Sequence, residues 1–424
     1  MPNAQCPIPK FTIQSCQECI AYDKSKMTKA KVVWTKQLGS AESDMSHGIA
    51  TDSNGNVYIT GSTKGDLGGP NQGENDAWVA KYDGEGNQQW VKQLGTDGND
   101  MAWGIATDSS DNIYLTGYTT GSLEGSNAGG HDAWIAKYDS NGNKIWLEQL
   151  GTAGDDKSYG VATDGSGNIY ISGGTTGSLE GSNKGDYDAW VAKYSSDGKQ
   201  QWLKQLGSSQ EDSSWGIATS ESGDIYITGR TTGSLAGDAE GFDAWVAKYD
   251  SEGNQQWIQQ LSSSGQDYSY GVAVDSSGNA YLTGRTTGSL EEEGRNAGAF
   301  DAWIAKYDSE GNKQWVKQVG GLKNDFAFAI ALDSSSNAYI SGCTQGDLAA
   351  SNQGGWDAWV AKYDSKGNEE WIQQLGSSGQ EFSWGVVVDD SGNIYATGHT
   401  TGTLEEGSSN AGSYDVWITK LSEE

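Results

Sequence analysis

The sequence predicts an all-β fold, a seven-bladed β-propeller with four antiparallel strands in each blade. Three observations predict it. One phrase recurs seven times at an almost constant spacing, and each repeat unit reads as four short strands joined by turns. The two ends of the chain each supply the part of a unit that the other end lacks. A fixed period of this length is typical of solenoids, propellers and arrays.

Two tryptophan-containing phrases define the period. In the first, a Trp precedes a Lys-Gln-Leu-Gly-like run, and successive copies are 55 to 58 residues apart. In the second, the Trp belongs to an Asp-Ala-Trp-Val-Ala-Lys-Tyr-like run. The tryptophans are Trp34, Trp90, Trp146, Trp202, Trp257, Trp315 and Trp371 in the first phrase, and Trp78, Trp134, Trp190, Trp245, Trp303, Trp359 and Trp417 in the second. Because aromatic side chains bury large areas, we predict that both sets pack between blades.

One unit, residues 103–150, shows the strand pattern. Residues 104–108, 113–117, 132–138 and 145–150 are short, β-prone runs, and no segment has a helical period. Polar turns separate them, with Gly142 supplying the positive φ of one hairpin. Four strands joined in this way form one blade of a propeller.

The chain ends predict how the ring closes. The strand from Val32 to Leu38 reads as a fourth strand with no blade before it, and residues 415–421 read as a third strand with no fourth after it. Pairing 31–38 with 415–421 removes both exposed sheet edges. We therefore predict one propeller domain at residues 31–424, with the N-terminal strand as the outermost strand of the last blade, and a Cys-containing extension at 1–30.

Charge and hydropathy exclude several partners. The chain has 57 Asp and Glu against 27 Lys and Arg, a formal net charge of −30. Phosphate backbones and anionic lipids are repelled by such a surface, so nucleic acid and membrane are not expected partners. The sequence has no apolar stretch long enough to span a membrane and no leader at its start, so we expect a cytoplasmic protein.

The cysteines leave two interpretations open. Cys6, Cys16 and Cys19 lie in the extension, and Cys343 lies in the repeats. A structural zinc site usually takes two Cys pairs, and only Cys16 and Cys19 are spaced as one. A disulfide or free thiols is the alternative. No cofactor is predicted, with a divalent metal as the alternative.

Two short runs recur in the repeat units: the Gly-Asn-x-Tyr-x-Thr-Gly runs, such as Gly55 to Gly61, and the Asp-Ala-Trp-x-Ala-Lys runs. In these runs the chain resembles the SBBP (seven-bladed β-propeller) repeat proteins of bacteria. The resemblance covers residues 31–421 and implies the propeller fold. It implies little about activity, since this repeat family largely lacks an assigned biochemical role and a fold does not dictate function.

Two repeated acidic features have structural interpretations. The Asp-x-x-Gly-Asn turns, such as Asp52 to Asn56, are shorter than a calcium loop and lack its final Glu, so we interpret them as hairpin turns. The Asp that precedes Ala-Trp, such as Asp76, is expected to accept hydrogen bonds from the backbone of its own loop. A cation-ligand role is the alternative for this second Asp.

Two sets of positions are predicted to line one end of the ring, which we call the top rim. There each innermost strand begins and each second strand runs into its long loop. Ring one precedes the Gly of the innermost strand and comprises His47, Trp103, Tyr159, Trp215, Tyr270, Phe328 and Trp384. An acid lies three residues before each member: Asp44, Asp100, Asp156, Asp212, Asp267, Asp325 and Glu381. Ring two follows the Gly of the second strand and comprises Ser62, Tyr118, Gly174, Arg230, Arg285, Cys343 and His399.

These rings carry the binding hypothesis. Ring one is aromatic at six positions, and ring two varies between blades whose neighbouring positions hardly vary. Aromatic rings flanked by acids suit sugars, cationic groups or aromatic ligands. The candidate ligand-binding residues are ring one together with Tyr118, Arg230, Arg285 and His399. In the alternative, ring one is a packed collar and ring two is exposed loop.

The seam between the first and last blades carries a separate hypothesis. His47 and His399 fall on the two blades that meet there, with Asp44 and Glu381 nearby in the sequence. Mixed His and carboxylate ligands suit a transition metal, or the histidines supply a general base. None of the spacings is a known ligand motif, which favours coincidence.

No catalytic motif is present: the sequence has no Gly-x-Ser-x-Gly elbow, Walker loop or His-Glu-x-x-His. We therefore predict a non-enzymatic binding or scaffold module that presents its top rim to a protein, peptide or glycan. One alternative is an enzyme, a lyase or glycan-active hydrolase, with its site at the channel mouth. The other is a structural subunit of a surface or filament assembly.

Overall fold

Seven four-stranded antiparallel sheets form the structure, a computed structural model that describes residues 29–237, 241–291, 296 and 298–423. In six sheets the four strands follow chain order from the innermost to the outermost strand. The predicted seven-bladed propeller is therefore confirmed. Residues 1–28 of the predicted extension, with Cys6, Cys16 and Cys19, lie outside the described residues. The described part of the chain has no helix of the length and hydropathy needed to cross a bilayer.

The first four blades are built from strands β2 to β17. Blade one contains β2 (Asp44–Thr51), β3 (Val57–Thr63), β4 (Asp76–Tyr82) and β5 (Gln88–Leu94), and blade two contains β6 (Asp100–Thr107), β7 (Ile113–Thr119), β8 (Asp132–Tyr138) and β9 (Lys144–Leu150). Blade three contains β10 (Asp156–Thr163), β11 (Ile169–Thr175), β12 (Asp188–Tyr194) and β13 (Gln200–Leu206), and blade four contains β14 (Asp212–Thr219), β15 (Ile225–Thr231), β16 (Asp243–Tyr249) and β17 (Gln255–Leu261).

The last three blades follow the same order until the chain ends. Blade five contains β18 (Asp267–Val274), β19 (Ala280–Thr286), β20 (Asp301–Tyr307) and β21 (Lys313–Val319), and blade six contains β22 (Asp325–Leu332), β23 (Ala338–Thr344), β24 (Asp357–Tyr363) and β25 (Glu369–Leu375). Blade seven contains β26 (Glu381–Val388), β27 (Ile394–Thr400), β28 (Asp415–Glu423) and, from the N-terminal end, β1 (Ala30–Leu38).

The N-terminal strand β1 closes the ring. It pairs antiparallel with β28, with Leu38 opposite Val416 and Lys31 opposite Ser422. The predicted closure by residues 32–38 is thus confirmed, and the strand begins two residues earlier than predicted, at Ala30. This pairing leaves neither chain end as an open sheet edge.

The innermost strands begin four residues earlier than the sequence indicated. In blade two the strand starts at Asp100 rather than Gly104, and Trp103 is an extra residue, since Ala102 pairs with Gly117 and Gly104 with Thr116. The same irregularity falls at the ring-one residue of every blade. A bulge breaks the two-residue alternation that marks a strand in sequence and re-aims the bulged side chain.

The apolar core lies between neighbouring blades. The third-strand tryptophans are fully buried, and Trp78 shares a cluster with Val57, Tyr395 and Val416, which joins blade one to blade seven. Each fourth-strand Trp contacts the next blade; Trp34 Nε1 donates to the Gly84 carbonyl at 3.3 Å. The predicted packing role of both tryptophan sets is confirmed.

Repeated polar residues hold the loops in place. The carboxylate of Asp76 accepts from the backbone N–H of Gln72 at 3.0 Å and from Gln93 Nε2 at 2.9 Å. Asp52 accepts from the backbone N–H of Asn56 at 2.9 Å and from the Tyr58 hydroxyl at 2.8 Å. Both acids act as predicted, one fixing its own loop and the other fixing a hairpin turn.

Candidate binding surface on the top rim

The acids that precede ring one are structural. Asp100 is fully buried and accepts from the Thr96 backbone N–H at 2.6 Å, the Thr96 hydroxyl at 2.8 Å and the Thr119 hydroxyl. Its equivalents in the other six blades are also fully buried. Burial raises the pKa of Asp44, Asp100, Asp212, Asp267 and Asp325. The expectation that acids flank the aromatic rings at a ligand-accessible mouth is therefore wrong, because hydrogen bonds within the loops use these carboxylates.

Ring one fills the upper end of the central channel. His47 stacks on Trp103 with ring centroids 4.2 Å apart, and Trp103 contacts Trp215 and Trp384 across the channel at 6.1 Å each. Phe328 stacks on Trp384 at 4.1 Å. Below the rings, glycine and aliphatic side chains of the inner strands line a cavity of about 180 Å³. Ring one is a packed collar whose six aromatic members stay partly exposed, and its ligand role stays a prediction.

Ring two lies in the second strands and not in exposed loop. Ser62, Cys343 and His399 are buried, whereas Arg230 and Arg285 are partly exposed, as is Tyr118 in blade two. The expectation of an exposed loop is wrong because each of these strands runs two residues beyond its Thr/Ser-Gly pair. Ring two therefore occupies rigid positions at the top rim.

The two seam carboxylates are held by hydrogen bonds to nearby Ser and Thr residues. The Asp44 carboxylate accepts from Ser40 and Thr63, and Glu381 accepts from the Ser377 and Thr400 hydroxyls at 2.6 and 2.7 Å. Within the described ranges, no group of three or more His, Cys, Asp or Glu side chains is placed to hold a metal ion. Both carboxylates of the seam belong to loop anchors in the structure, and the metal role of Asp44, His47, Glu381 and His399 stays a prediction.

Both seam histidines are buried among aromatic rings. Burial lowers the pKa of His47 to about 4, although its Nδ1 contacts the Ala102 carbonyl at 2.9 Å. Burial, and then the neighbouring His47, lowers the pKa of His399 to about 3. Both imidazoles are neutral near pH 7, and they serve as packing elements of the rim.

A continuous aromatic surface covers one side of the top rim. Ring-to-ring contacts with centroids 5.0 to 6.3 Å apart run from blade four to blade seven. Six of its eight members are partly exposed, and Tyr268 and His399 are buried. We call this surface the aromatic crescent: Phe242, Tyr268, Phe300, Phe326, Trp356, Phe382, His399 and Tyr414.

The backbone of the crescent is anchored between blades. The carbonyls of Phe242, Phe300, Trp356 and Tyr414 each accept the backbone N–H of the acid that begins the next inner strand, at 2.6 to 2.8 Å. Tyr268, Phe326 and Phe382 follow these acids directly within the inner strands. The surface is therefore held on rigid elements, which lowers the ordering cost of binding.

The opposite side of the rim is polar. In blade one, Asn75 occupies the position equivalent to Trp356 and donates to the Asn99 side chain at 2.8 Å. In blade two, His131 contacts the Asp155 carboxylate at 2.8 Å, and Tyr187 donates to the same carboxylate at 3.2 Å. The top rim is thus asymmetric although the scaffold repeats seven times.

Two arginines lie against the crescent, and only Arg230 forms an ion pair with a described residue. Arg230 pairs with Glu211 at 2.7 Å, and its guanidinium carbon lies 5.0 Å from the centroid of the Phe242 ring. The guanidinium carbon of Arg285 lies within 5.6 Å of four ring centroids, of which Phe326 at 4.5 Å and Tyr268 at 4.7 Å are the nearest. Both were predicted site residues, and the structure brings both to the crescent.

Sequence reasoning missed most of the crescent. Four members precede the Asp of the third strand, and three follow the acid of the inner strand. Both positions differ between repeats and are mainly aromatic in the last blades, so aligning the seven units exposes the signal. The proximity of these side chains cannot be seen in the sequence of one unit, because each ring pair joins residues of different strands or different blades.

Comparisons with known proteins agree with this architecture. The SBBP beta-propeller repeat matches seven times, at residues 33–68, 89–124, 145–180, 201–236, 256–291, 314–349 and 370–404. A solved structure of a protein of unknown function from Dyadobacter fermentans is similar at a TM-score of 0.50 and 10% identity, covering 93% of this chain and 99% of that one. At this identity the likeness concerns the fold alone.

The chain matches parts of two curated relatives that are much longer than the matched segments. The regulatory protein FlaEY of Caulobacter vibrioides is 26% identical over 189 residues, which is 41% of this chain and 19% of that protein. The uncharacterized WD repeat-containing protein L264 of Acanthamoeba polyphaga mimivirus is 21% identical over 518 aligned residues, which is 91% of this chain and 37% of that protein. The chain thus spans well under half the length of either relative. Seven matches that cover more than half of its residues show that it belongs to the SBBP beta-propeller repeat family.

Proposed function

We propose that this propeller is a binding module that holds a protein or peptide segment on the aromatic crescent. The observation that carries the proposal is the crescent itself, a partly exposed aromatic surface confined to blades four to seven of a sevenfold repeat. Packing of the ring does not require it, since the equivalent positions of blade one are filled by Met45 and Asn75. Contiguous apolar surface on a protein marks an interaction site.

The composition of the crescent favours a polypeptide partner. Binding energy at protein interfaces concentrates in Trp, Tyr and Arg, with charged Asp, Glu and Lys depleted from the core. Arg285 and Trp356 lie at the centre of the crescent, whereas acidic residues outnumber basic residues about two to one in the chain as a whole. The name of one relative, a regulatory protein, also supports a role that acts through a partner. The enzyme and assembly alternatives stay predictions.

The test begins by panning a random 12-residue peptide library against the immobilised protein. Selected peptides are then titrated against wild type, Trp356→Ala and Asn75→Ala. Trp356→Ala removes a crescent ring, and we expect about thirtyfold weaker binding, the effect of truncating an interface hot spot of about 2 kcal/mol. Asn75→Ala changes the equivalent position on the polar side of the rim, and the affinity should stay at the wild-type value.

Three outcomes would contradict the proposal. Equal loss of affinity in both variants, or no loss in either, would place the peptide site on another face of the ring. If the panning selects no peptide and a glycan array yields binders that need Trp356, the crescent is a binding surface for sugars instead.

A further inference from the structure

We infer that Arg285 is the receptor for a carboxylate on the bound segment, so that the crescent selects an acidic residue flanked by apolar or aromatic ones. The inference rests on the proposed function and names the chemistry of its ligand. No sequence motif indicates this role for Arg285, and the inference comes from the residues that surround it in the structure.

The guanidinium of Arg285 is enclosed by aromatic rings on several sides. Its central carbon lies 4.5 Å from the centroid of Phe326, 4.7 Å from Tyr268, 4.8 Å from Phe300 and 5.6 Å from Tyr270. Such contacts stabilise the cation by attraction to the ring faces. They do not satisfy its N–H groups, which lie in the guanidinium plane and need acceptors.

Arg285 makes no hydrogen bond or ion pair with any residue that the structure describes, and its Nε is buried without an acceptor. The Nε of Arg230, one blade earlier, is likewise buried without an acceptor, but Arg230 pairs through Nη2 with Glu211 at 2.7 Å, and this ion pair is what Arg285 lacks among the described residues. The residue equivalent to Glu211 in the next blade is Gln266, which donates its own N–H to Thr287. Among the described residues of blade five, the cation is therefore kept and Gln266 stands where blade four has the anion of Glu211.

A carboxylate suits the N–H groups of this cation that have no acceptor among the described residues. Arginine binds carboxylates through two parallel hydrogen bonds, and such charge-assisted bonds are among the stronger polar contacts in proteins. The rings around Arg285 leave it only partly exposed, so a pair formed there is screened less than a pair on the open surface. The formal charge of −30 repels a dianion such as a phosphate group more than a single carboxylate.

The flanking residues of the ligand follow from the same geometry. A segment whose carboxylate reaches Arg285 must lie against Phe300 and Phe326, which are partly exposed. Apolar or aromatic neighbours of the acidic residue would bury these rings, whereas polar neighbours would be desolvated without partners. The predicted recognition element is therefore one Asp or Glu between apolar side chains.

The experiment pans the same 12-residue library on wild type and on Arg285→Gln. A matched control is Lys313→Gln, which lowers the formal charge by the same unit at an exposed residue that begins β21, at the opposite end of blade five from the top rim. Wild type and Lys313→Gln should both enrich acidic peptides of the stated pattern. Arg285→Gln should lose that enrichment.

A selected peptide and its Asp→Asn counterpart then close a double-mutant cycle with wild type and Arg285→Gln. We expect the Asp→Asn change to weaken binding to wild type by about tenfold or more, as for a hydrogen-bonded charge pair, and to change binding to Arg285→Gln little. Thermal unfolding of both proteins separates this loss from misfolding. The coupling itself is the readout that a purely structural arginine would not give.

The outcomes distinguish the two proposals. Peptides that need Trp356 but show no acidic residue, or an Asp→Asn effect that persists in Arg285→Gln, would overturn the role of Arg285 and leave the binding module standing. A library that yields no binder at all would overturn both.

Discussion

Acidification should destabilise the ring through its two seam histidines. The folded-state pKa is about 4 for His47 and about 3 for His399, both lowered mainly by burial, against an ordinary value of 6.5. Below pH 6.5 each of the two imidazoles binds a proton in the unfolded chain, whereas it stays neutral in the folded chain until its lowered pKa is reached. The free energy of unfolding therefore falls as the pH falls, down to about pH 4 for His47 and about pH 3 for His399.

The size of the effect follows from the width of that window. Each pH unit below 6.5 removes about 1.4 kcal/mol for each histidine, so lowering the pH to 5.0 removes about 2 kcal/mol for one and about 4 kcal/mol for both. Such a loss is large against a typical total stability of about 5–15 kcal/mol. The buried acids with raised pKa oppose it, since a carboxyl group that binds its proton more readily in the folded state adds stability as the pH falls.

The assay isolates the histidine contribution by comparison with His47→Phe. Phe is the residue that the chain itself places at the equivalent position in blade six, Phe328, so the collar accepts it. Denaturant unfolding followed by tryptophan fluorescence at pH 7.5 and 5.0 gives the pH dependence of each protein. Because the acids are common to both, we expect the variant to lose about 2 kcal/mol less than wild type. An identical pH dependence in the two proteins would refute the reasoning.

The remaining predictions concern fixed contacts of the scaffold. Gly398→Ala should destabilise the fold by about 3 kcal/mol in denaturant unfolding, because its Cβ would overlap the Phe382 carbonyl, whereas Gly165→Ala, with open space around it, should change stability by less than about 1 kcal/mol. Gln374→Leu should cost about 3 kcal/mol in the same assay, since the Gln374 side chain accepts three loop N–H groups and donates to the Asp357 carboxylate. Cys343 is fully buried with a raised thiol pKa, so peptide mapping after iodoacetamide treatment should find it unmodified in the folded protein and alkylated after unfolding.

The scaffold was predictable from the sequence because its interactions repeat. A buried Trp and a loop-fixing Asp recur in every unit, and a turn Asp recurs in every unit but blade four, where Ser220 takes its place. Each acts mainly within its unit or on the next. The closure followed from the same logic, since residues 32–38 and 415–421 are complementary parts of one unit. Repetition therefore compensated for the lack of any long-range information in a single strand.

The site was less predictable because it depends on departures from the repeat. The bulge at Trp103 and its equivalents turns the ring-one side chains into the channel, and a bulge has no residue signature in these strands. The crescent depends on contacts between blades, such as Phe242 with Tyr268 and Trp356 with Phe382. Arg285 was identified as a candidate, but the four rings around its guanidinium come from different strands and blades, and only the structure brings them together.

The asymmetry of the top rim supports the proposed binding role more strongly than any single residue does. A closed ring of seven equivalent blades is satisfied by the same side chains in each blade, and the buried acids, the loop-fixing Gln and the tryptophans keep that rule. The top rim does not, because neighbouring polar groups pair with each other at Asn75 and Asn99, while half a ring away partly exposed aromatic residues surround Arg285, which has no ion pair with any described residue. Leaving a guanidinium without an acceptor is unfavourable for the isolated ring. A carboxylate on a ligand would remove this cost, which supports the proposed preference of the crescent for an acidic segment.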